Sequence, residues 1–181
     1  MESRAIFFDK DGTLVEDVPF NVDVTKIRFS RGAEFAIRKL KDHFQFHIVT
    51  NQKGVALGLF QEIDLTFVRN KMALMFSDLG GELQGFHYCP HGPDDGCACR
   101  KPGTLMLERA ALEHGIELSH SWMIGDILDD IEAGKRAGCK TILIDNGNET
   151  EWVLNEYREP DHMAKDLFGA ALIIMSQERG L

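Results

Sequence analysis

Short apolar runs alternate along this chain with longer stretches in which apolar residues return every three or four positions. The short runs lie at 4–8 (RAIFF), 46–50 (FHIVT), 86–89 (FHYC), 121–124 (SWMI) and 141–144 (TILI). They have the length and content of strands buried in a sheet. The longer stretches predict helices over 32–43, 61–79, 104–114 and 128–137. Phe35, Ile37 and Leu40 carry the spacing in the first of these, and Ile63, Phe67, Met72, Leu74, Met75 and Leu79 in the second. Gly115 and Gly138 stand where the third and fourth helices should stop. Beyond Glu151 the pattern weakens to a turn of helix near Trp152, a short extended piece near Met163 and a final helix over 166–177.

Strands alternating with helices in this way predict an α/β fold, a parallel sheet with helices on both faces, in one domain over 1–181. Right-handed crossovers bring the strand C-termini to one edge, where ligands bind. The polar residues that follow the strands, Asp9, Asp11, Thr50, Asn51, Lys101 and Asp126, therefore converge on one predicted site. No repeat, low-complexity tract or linker interrupts the series.

Composition narrows the function. The chain is 44% apolar and 27% charged, an ordinary balance for a globular protein and unlike that of a disordered one. Its formal net charge of −9, with no basic run, weighs against nucleic acid, whose binding draws on phosphate neutralisation. A small anion is not excluded, because it responds to the local field of a pocket holding a metal and a lysine. No apolar run approaches the roughly 20 residues that span a bilayer, and no charged-then-apolar leader opens the sequence. The expectation is a cytoplasmic monomer without membrane or nucleic-acid partners.

Asp9-Lys10-Asp11-Gly12-Thr13 is the strongest chemical signal. Two carboxylates spaced i, i+2 after a strand can both enter a site if the chain bends, and Gly12 permits the bend. One can attack phosphorus while the other moves a proton. A carboxylate approaching a phosphate needs its charge neutralised, which calls for magnesium and a nearby cation. Thr50 offers a hydrogen bond to phosphate, Lys101 a compact positive charge, and Asp126, with Asp129 and Asp130 close behind, an acidic metal ligand.

These residues, DKDGT, TNQ, RKP and GDILDD, resemble the four motifs of the haloacid dehalogenase-like (HAD) phosphatases over about residues 4–146. The resemblance implies a Rossmann-like core, Asp9 as nucleophile, Asp11 as general acid and then base, and catalytic roles for Thr50 and Lys101. It also implies magnesium held by Asp9, the backbone carbonyl of Asp11, and Asp126. Asp130 would support that site through hydrogen bonds, and Asp129 would be solvated. No large insert follows either of the first two motifs, so no cap domain is expected. The substrate is then a small phosphorylated metabolite.

Cys89-Pro90-His91 and Cys97-Ala98-Cys99 place three thiols and one imidazole within eleven residues. That is the ligand set of a tetrahedral structural zinc site, and it predicts a zinc loop over 89–99. Cys139, before an apolar strand, reads as a buried structural thiol. The C-x-H…C-x-C-R-K-P pattern is similar to the HAD branch containing the D-glycero-D-manno-heptose 1,7-bisphosphate phosphatases and the histidinol-phosphate phosphatases. TNQKGVALG is closer to the heptose group, whereas the five-residue gap between His91 and Cys97 is closer to the histidinol group. Leu57 replaces an arginine usual in the heptose enzymes, and Ile127 a lysine found in some.

The same resemblance assigns substrate contacts to Asp17, Val18, Pro19, Phe20, Asn51, Gln52, Lys53 and Arg100. A zinc-stabilised HAD-fold binding protein without turnover is the alternative from another class. His43, His47, His87, His114, His120 and His162 share no ligand spacing and read as surface or structural histidines. Trp122, Met72 and Met75 read as core, and Asp145-Asn146-Gly147-Asn148 as a turn at the pocket rim.

Overall fold

Ala5–Phe8 forms the first strand, β1, and all four of its side chains are buried. Ile6 and Phe8 face one way and Ala5 and Phe7 the other, so a sheet with two covered faces follows from this run alone. The computed structural model describes residues 3–178. Its elements follow as α1 (Ala33–Leu40), β2 (Gln45–Asn51), α2 (Glu62–Ser77), β3 (Leu83–Cys89), α3 (Leu105–His114), β4 (Trp122–Gly125), α4 (Leu128–Ala137), β5 (Lys140–Ile144), β6 (His162–Ala164) and α5 (Leu167–Gln177). Short 3-10 turns at Val24–Lys26 and Leu118–His120 are additions to the elements read from sequence.

The six strands form one sheet in the order β3-β2-β1-β4-β5-β6, and every strand pair is parallel. Phe8, the last residue of β1, lies opposite Ile48 of β2 and Ile124 of β4, and β2 runs on three residues further to Asn51. Strand order reverses between β1 and β4. That reversal opens a crevice at the strand ends, and Asp9 and Asp126 follow the two strands that flank it.

One face of the sheet, with Ile6, Phe8, Phe46, Ile48, Trp122 and Ile124, packs under α1, α2 and α5. The other, with Phe7, Val49 and Met123, packs under Met106, Leu107 and Ala110 of α3 and Ala133 of α4. Each fully buried large side chain contributes about 1.5–3 kcal/mol of burial free energy. Trp122 and Met72 are fully buried and Cys139 nearly so, as their reading as core requires, while Met75 packs at the edge of the core. The described residues contain no cap domain and no helix long and apolar enough to cross a membrane.

Three expectations need correction. In α2 the buried stripe is Leu65, Val68, Met72 and Phe76, while Ile63, Phe67 and Leu74 are exposed. The helix carries two apolar stripes, and its crossing over β3 decides which one is core. β3 starts at Leu83, because Gly85, which breaks the apolar run, still pairs opposite His47. No helical turn forms at Trp152. The segment 151–155 is exposed and buries no face that could hold a helix, and Trp152 adopts φ +47°.

Candidate active site

Asp9 leaves β1 with its N–H donating to Ile124 O at 2.9 Å, which anchors the residue between β1 and β4. Lys101 Nζ reaches it from the loop after β3 and donates to Asp9 Oδ1 at 2.6 Å and to Val49 O at 2.8 Å. The same ammonium meets Asp130 Oδ1 at 2.6 Å in a second ion pair. All three charged groups are buried. Burial raises the Asp9 carboxyl above the usual carboxylate range against the pull of Lys101, and it raises Asp130 likewise. Burial would also lower Lys101, but the two carboxylates outweigh it and raise the ammonium above its ordinary value.

Asp126 stands after β4. Its Oδ1 accepts from Thr13 Oγ1 at 3.0 Å and its Oδ2 from Asn148 Nδ2 at 2.6 Å. Burial, and then the charge of Asp9, push it up to about 6. Asp9, Asp126 and Asp130 each offer a carboxylate oxygen within 4.8 Å of the others. Three buried carboxylates so close, served by one lysine, leave negative charge uncompensated. Asp130 Oδ1 meets nothing but the ammonium it shares with Asp9. Magnesium, an oxygen-seeking cation, fits this donor set. Gly12 is needed beside it, since at φ +82° a Cβ would lie 2.3 Å from Asp126 Oδ2.

Asp11 turns its carboxylate away from this cluster, pairing with Lys10 and accepting from Gln52 Nε2 at 3.0 Å. Gln52 Nε2 also donates to Thr50 Oγ1 at 2.8 Å. Asn51 clamps the backbone of Lys101: its Oδ1 accepts from Lys101 N at 2.9 Å, and its Nδ2 donates to Lys101 O at 3.1 Å. Asn51 and Gln52, expected as substrate contacts, thus spend these groups holding Lys101, Thr50 and Asp11 in place. Asp129 is ion-paired with Arg158, not simply solvated.

Two hollows adjoin here. One of about 330 Å³ is lined by Asp9, Thr50, Lys101, Asp126, Ile127 and Asn148. A second of about 160 Å³ is lined by Val18, Phe20, Gln52, Lys53 and Arg100. Asp11, Asp17 and Asn51 line both. Lys53 Nζ sits 5.9 Å from the Phe20 ring centroid. Pro19 and Leu57 line neither hollow, and Leu57 is exposed. Size does not single the site out, since a hollow of about 480 Å³ beside Phe29 and Met75 contains none of the strand-end residues.

The sequence reading missed the bracing from the turn after β5. Asn146 Nδ2 donates to Gly12 O at 2.7 Å and Asn148 to Asp126. An asparagine-rich turn at the end of a parallel strand, on the ligand edge, was the signal available.

The sulfur and nitrogen ligands of Cys89, His91, Cys97 and Cys99 lie within 4.8 Å of one another, and the cysteines are free. His91 Nδ1 is 3.3 Å from Cys99 Sγ and 3.5 Å from Cys89 Sγ. Such separations are close to the edges of a tetrahedron with zinc–sulfur bonds of ~2.3 Å and zinc–nitrogen bonds of ~2.0 Å. Burial opposes it, yet the Arg100 backbone and the neighbouring cysteines bring Cys97 below the usual thiol range, toward the metal-binding thiolate. Arg100 Nη1 donates to His91 O at 3.3 Å, which ties the loop to the second hollow.

The HAD-hydrolase-like family profile matches residues 98–170. The D-glycero-beta-D-manno-heptose-1,7-bisphosphate 7-phosphatase of Pseudomonas aeruginosa is 38% identical over 149 residues, which cover 81% of this chain and 84% of the relative. The histidine biosynthesis bifunctional protein HisB of Actinobacillus pleuropneumoniae is 32% identical over 78% of this chain, which spans only 40% of that longer protein. Among solved structures, the B. bronchiseptica D,D-heptose 1,7-bisphosphate phosphatase complexed with magnesium and phosphate superposes with a TM-score of 0.80 at 29% identity. That match covers 97% of this chain and 99% of the other.

Proposed function

This chain belongs to the HAD-like phosphatases, and from that premise we propose that it removes the C7 phosphate of D-glycero-D-manno-heptose 1,7-bisphosphate through an aspartyl-phosphate on Asp9. The observation that carries the reading is the convergence of Asp9, Lys101, Asp126 and Asp130 beside a 330 Å³ hollow that opens into a second, smaller one.

An Asp9 carboxylate oxygen attacks phosphorus and the bond to the sugar oxygen breaks. Asp11 supplies the proton that the leaving alkoxide takes up. Asp11, now a carboxylate, removes a proton from water, whose oxygen attacks the phosphorus and frees Asp9. Lys101 balances the charge at Asp9, and Thr50 donates to a phosphate oxygen. Magnesium, held by Asp9, Asp126 and the backbone carbonyl of Asp11, with Asp130 behind them, would offset the negative charge of the phosphate. Zinc in the 89–99 loop would hold Arg100 and Lys101 at the rim. The smaller hollow suits the distal end of the substrate, with Lys53 and Arg100 as its cations.

Histidinol phosphate is the second reading, supported by the short gap between His91 and Cys97 and by the HisB relative. Phosphate release with magnesium, on both substrates at equal concentration, separates the two. Higher kcat/KM on the heptose is expected. Preference for histidinol phosphate would transfer the assignment to it, and turnover of neither would leave the heptose reading without support.

A further inference from the structure

The histidines His47, His87 and His114 have no spacing in common along the chain, yet one ring nitrogen of each lies within 4.8 Å of the others. They come from β2, β3 and the last residue of α3, on the sheet face that α3 covers. We propose that these three imidazoles form a third metal site, separate from both the carboxylate centre and the cysteine loop, that takes one borderline divalent cation such as Zn²⁺. It would tie β2, β3 and the C-terminal end of α3 together, three residues before Thr50 along β2.

Four features point to an ion. His47 Nδ1 and His87 Nε2 are 3.3 Å apart. A tetrahedral ion with metal–nitrogen bonds of ~2.0–2.1 Å holds two ligand nitrogens roughly 3.3–3.4 Å apart. The other nitrogen of His47, Nε2, lies 3.2 Å from Gln45 Oε1, which fixes the tautomer with Nε2–H donating and the Nδ1 lone pair facing the cluster. The backbone opposite is cleared: a Cβ on Gly85 would lie 2.3 Å from His47 Nδ1 and 2.4 Å from His87 Nε2. His114 ends a helix whose terminal carbonyls favour positive charge.

The His47 ring is buried, and with Nε2 donating to Gln45 its Nδ1 lone pair is left to ligate. His87 and Glu113 line a hollow of about 370 Å³ that gives an ion a way in. Three imidazoles suit zinc, cobalt, nickel or copper, and magnesium prefers oxygen.

The test is metal stoichiometry on tag-free protein in excess magnesium, equilibrated with micromolar zinc and measured by mass spectrometry of the metal content. Two zinc ions per chain are expected, falling to one in His114→Gln and in Gly85→Ala with unchanged circular dichroism. Cys99→Ser should keep the histidine-bound ion. With cobalt, that ion should give ligand-field bands without thiolate charge transfer, the signature of nitrogen ligands. Gln45→Leu should weaken it about 10–100-fold, as loss of an orienting hydrogen bond does. A cobalt titration that shows no thiolate-free site would overturn the proposal, leaving a plain His47–His87 hydrogen bond. A second equivalent that survives combined His87→Gln and His114→Gln replacement would overturn it too.

Discussion

Lys101 has its ammonium between Asp9 and Asp130, and the arrangement of those three atoms decides most of what the site can do. Each carboxylate alone would be costly to bury, and the lysine makes burial tolerable without covering both oxygens of either one. Asp9→Asn removes one carboxylate from a cluster held above its ordinary pKa, so the fold should lose nothing. Phosphate release should fall by at least about a thousandfold, as for loss of a nucleophile. Thermal melting and a turnover assay check this together, and a folded Asp9→Asn protein with substantial activity would remove Asp9 as the nucleophile. Asp9 and Lys101 were legible as charged residues following strands, and Asp130 only through the resemblance to the HAD motifs. The amide clamp of Asn51 on Lys101 was not, because residue type does not reveal which partner an amide will find.

At the scale of elements, α2 shows how far spacing goes. Ile63, Phe67 and Leu74 fit a helical stripe as well as Leu65, Val68, Met72 and Phe76 do, and only packing over β3 separates them. Phe76→Ala should cost about 3–5 kcal/mol, whereas Phe67→Ala, on the exposed face, should change stability by less than about 0.5 kcal/mol. Urea unfolding of the two variants measures the difference, and equal losses would refute the assignment of the core face. The cysteine loop depends on chelation in place of a core, since Cys97, His91 and Cys99 are only partly buried. Chelator treatment should therefore lower the melting temperature by at least about 5 °C, with zinc restoring it. An unchanged melting curve would mean that the loop needs no ion.

At the scale of the whole molecule, Glu178 joins the two ends of the chain. It accepts from Arg4 Nη1 at 2.8 Å, Lys140 Nζ at 3.0 Å and Trp122 Nε1 at 3.2 Å, linking the end of α5 to the residue before β1 and to β5 and β4. Burial alone would raise its pKa, but the Lys140 and Trp122 hydrogen bonds outweigh that and lower it below 4.5. A depressed folded-state pKa means that the contribution is complete above the unfolded value and is lost as pH falls through the folded one. Glu178→Gln should thus cost about 1–3 kcal/mol near neutral pH, and the gap to the parent protein should narrow below about pH 4.5. Denaturation of both proteins across that range tests the sign, and a gap that widens in acid would contradict it.

The sequence by itself determined the α/β alternation, the parallel sheet, the stops at Gly115 and Gly138, and the placing of Asp9, Thr50 and Asp126 at strand ends. All of these follow from local periodicity and from the chirality of crossovers, which act within one strand–helix unit. Tertiary structure alone decided the buried face of α2, the absence of a turn at Trp152, the bracing by Asn146 and Asn148, and the meeting of His47, His87 and His114. Each of these depends on contacts between elements distant in the chain. Their geometry is set when the helices settle on the sheet, and no spacing along the sequence encodes it.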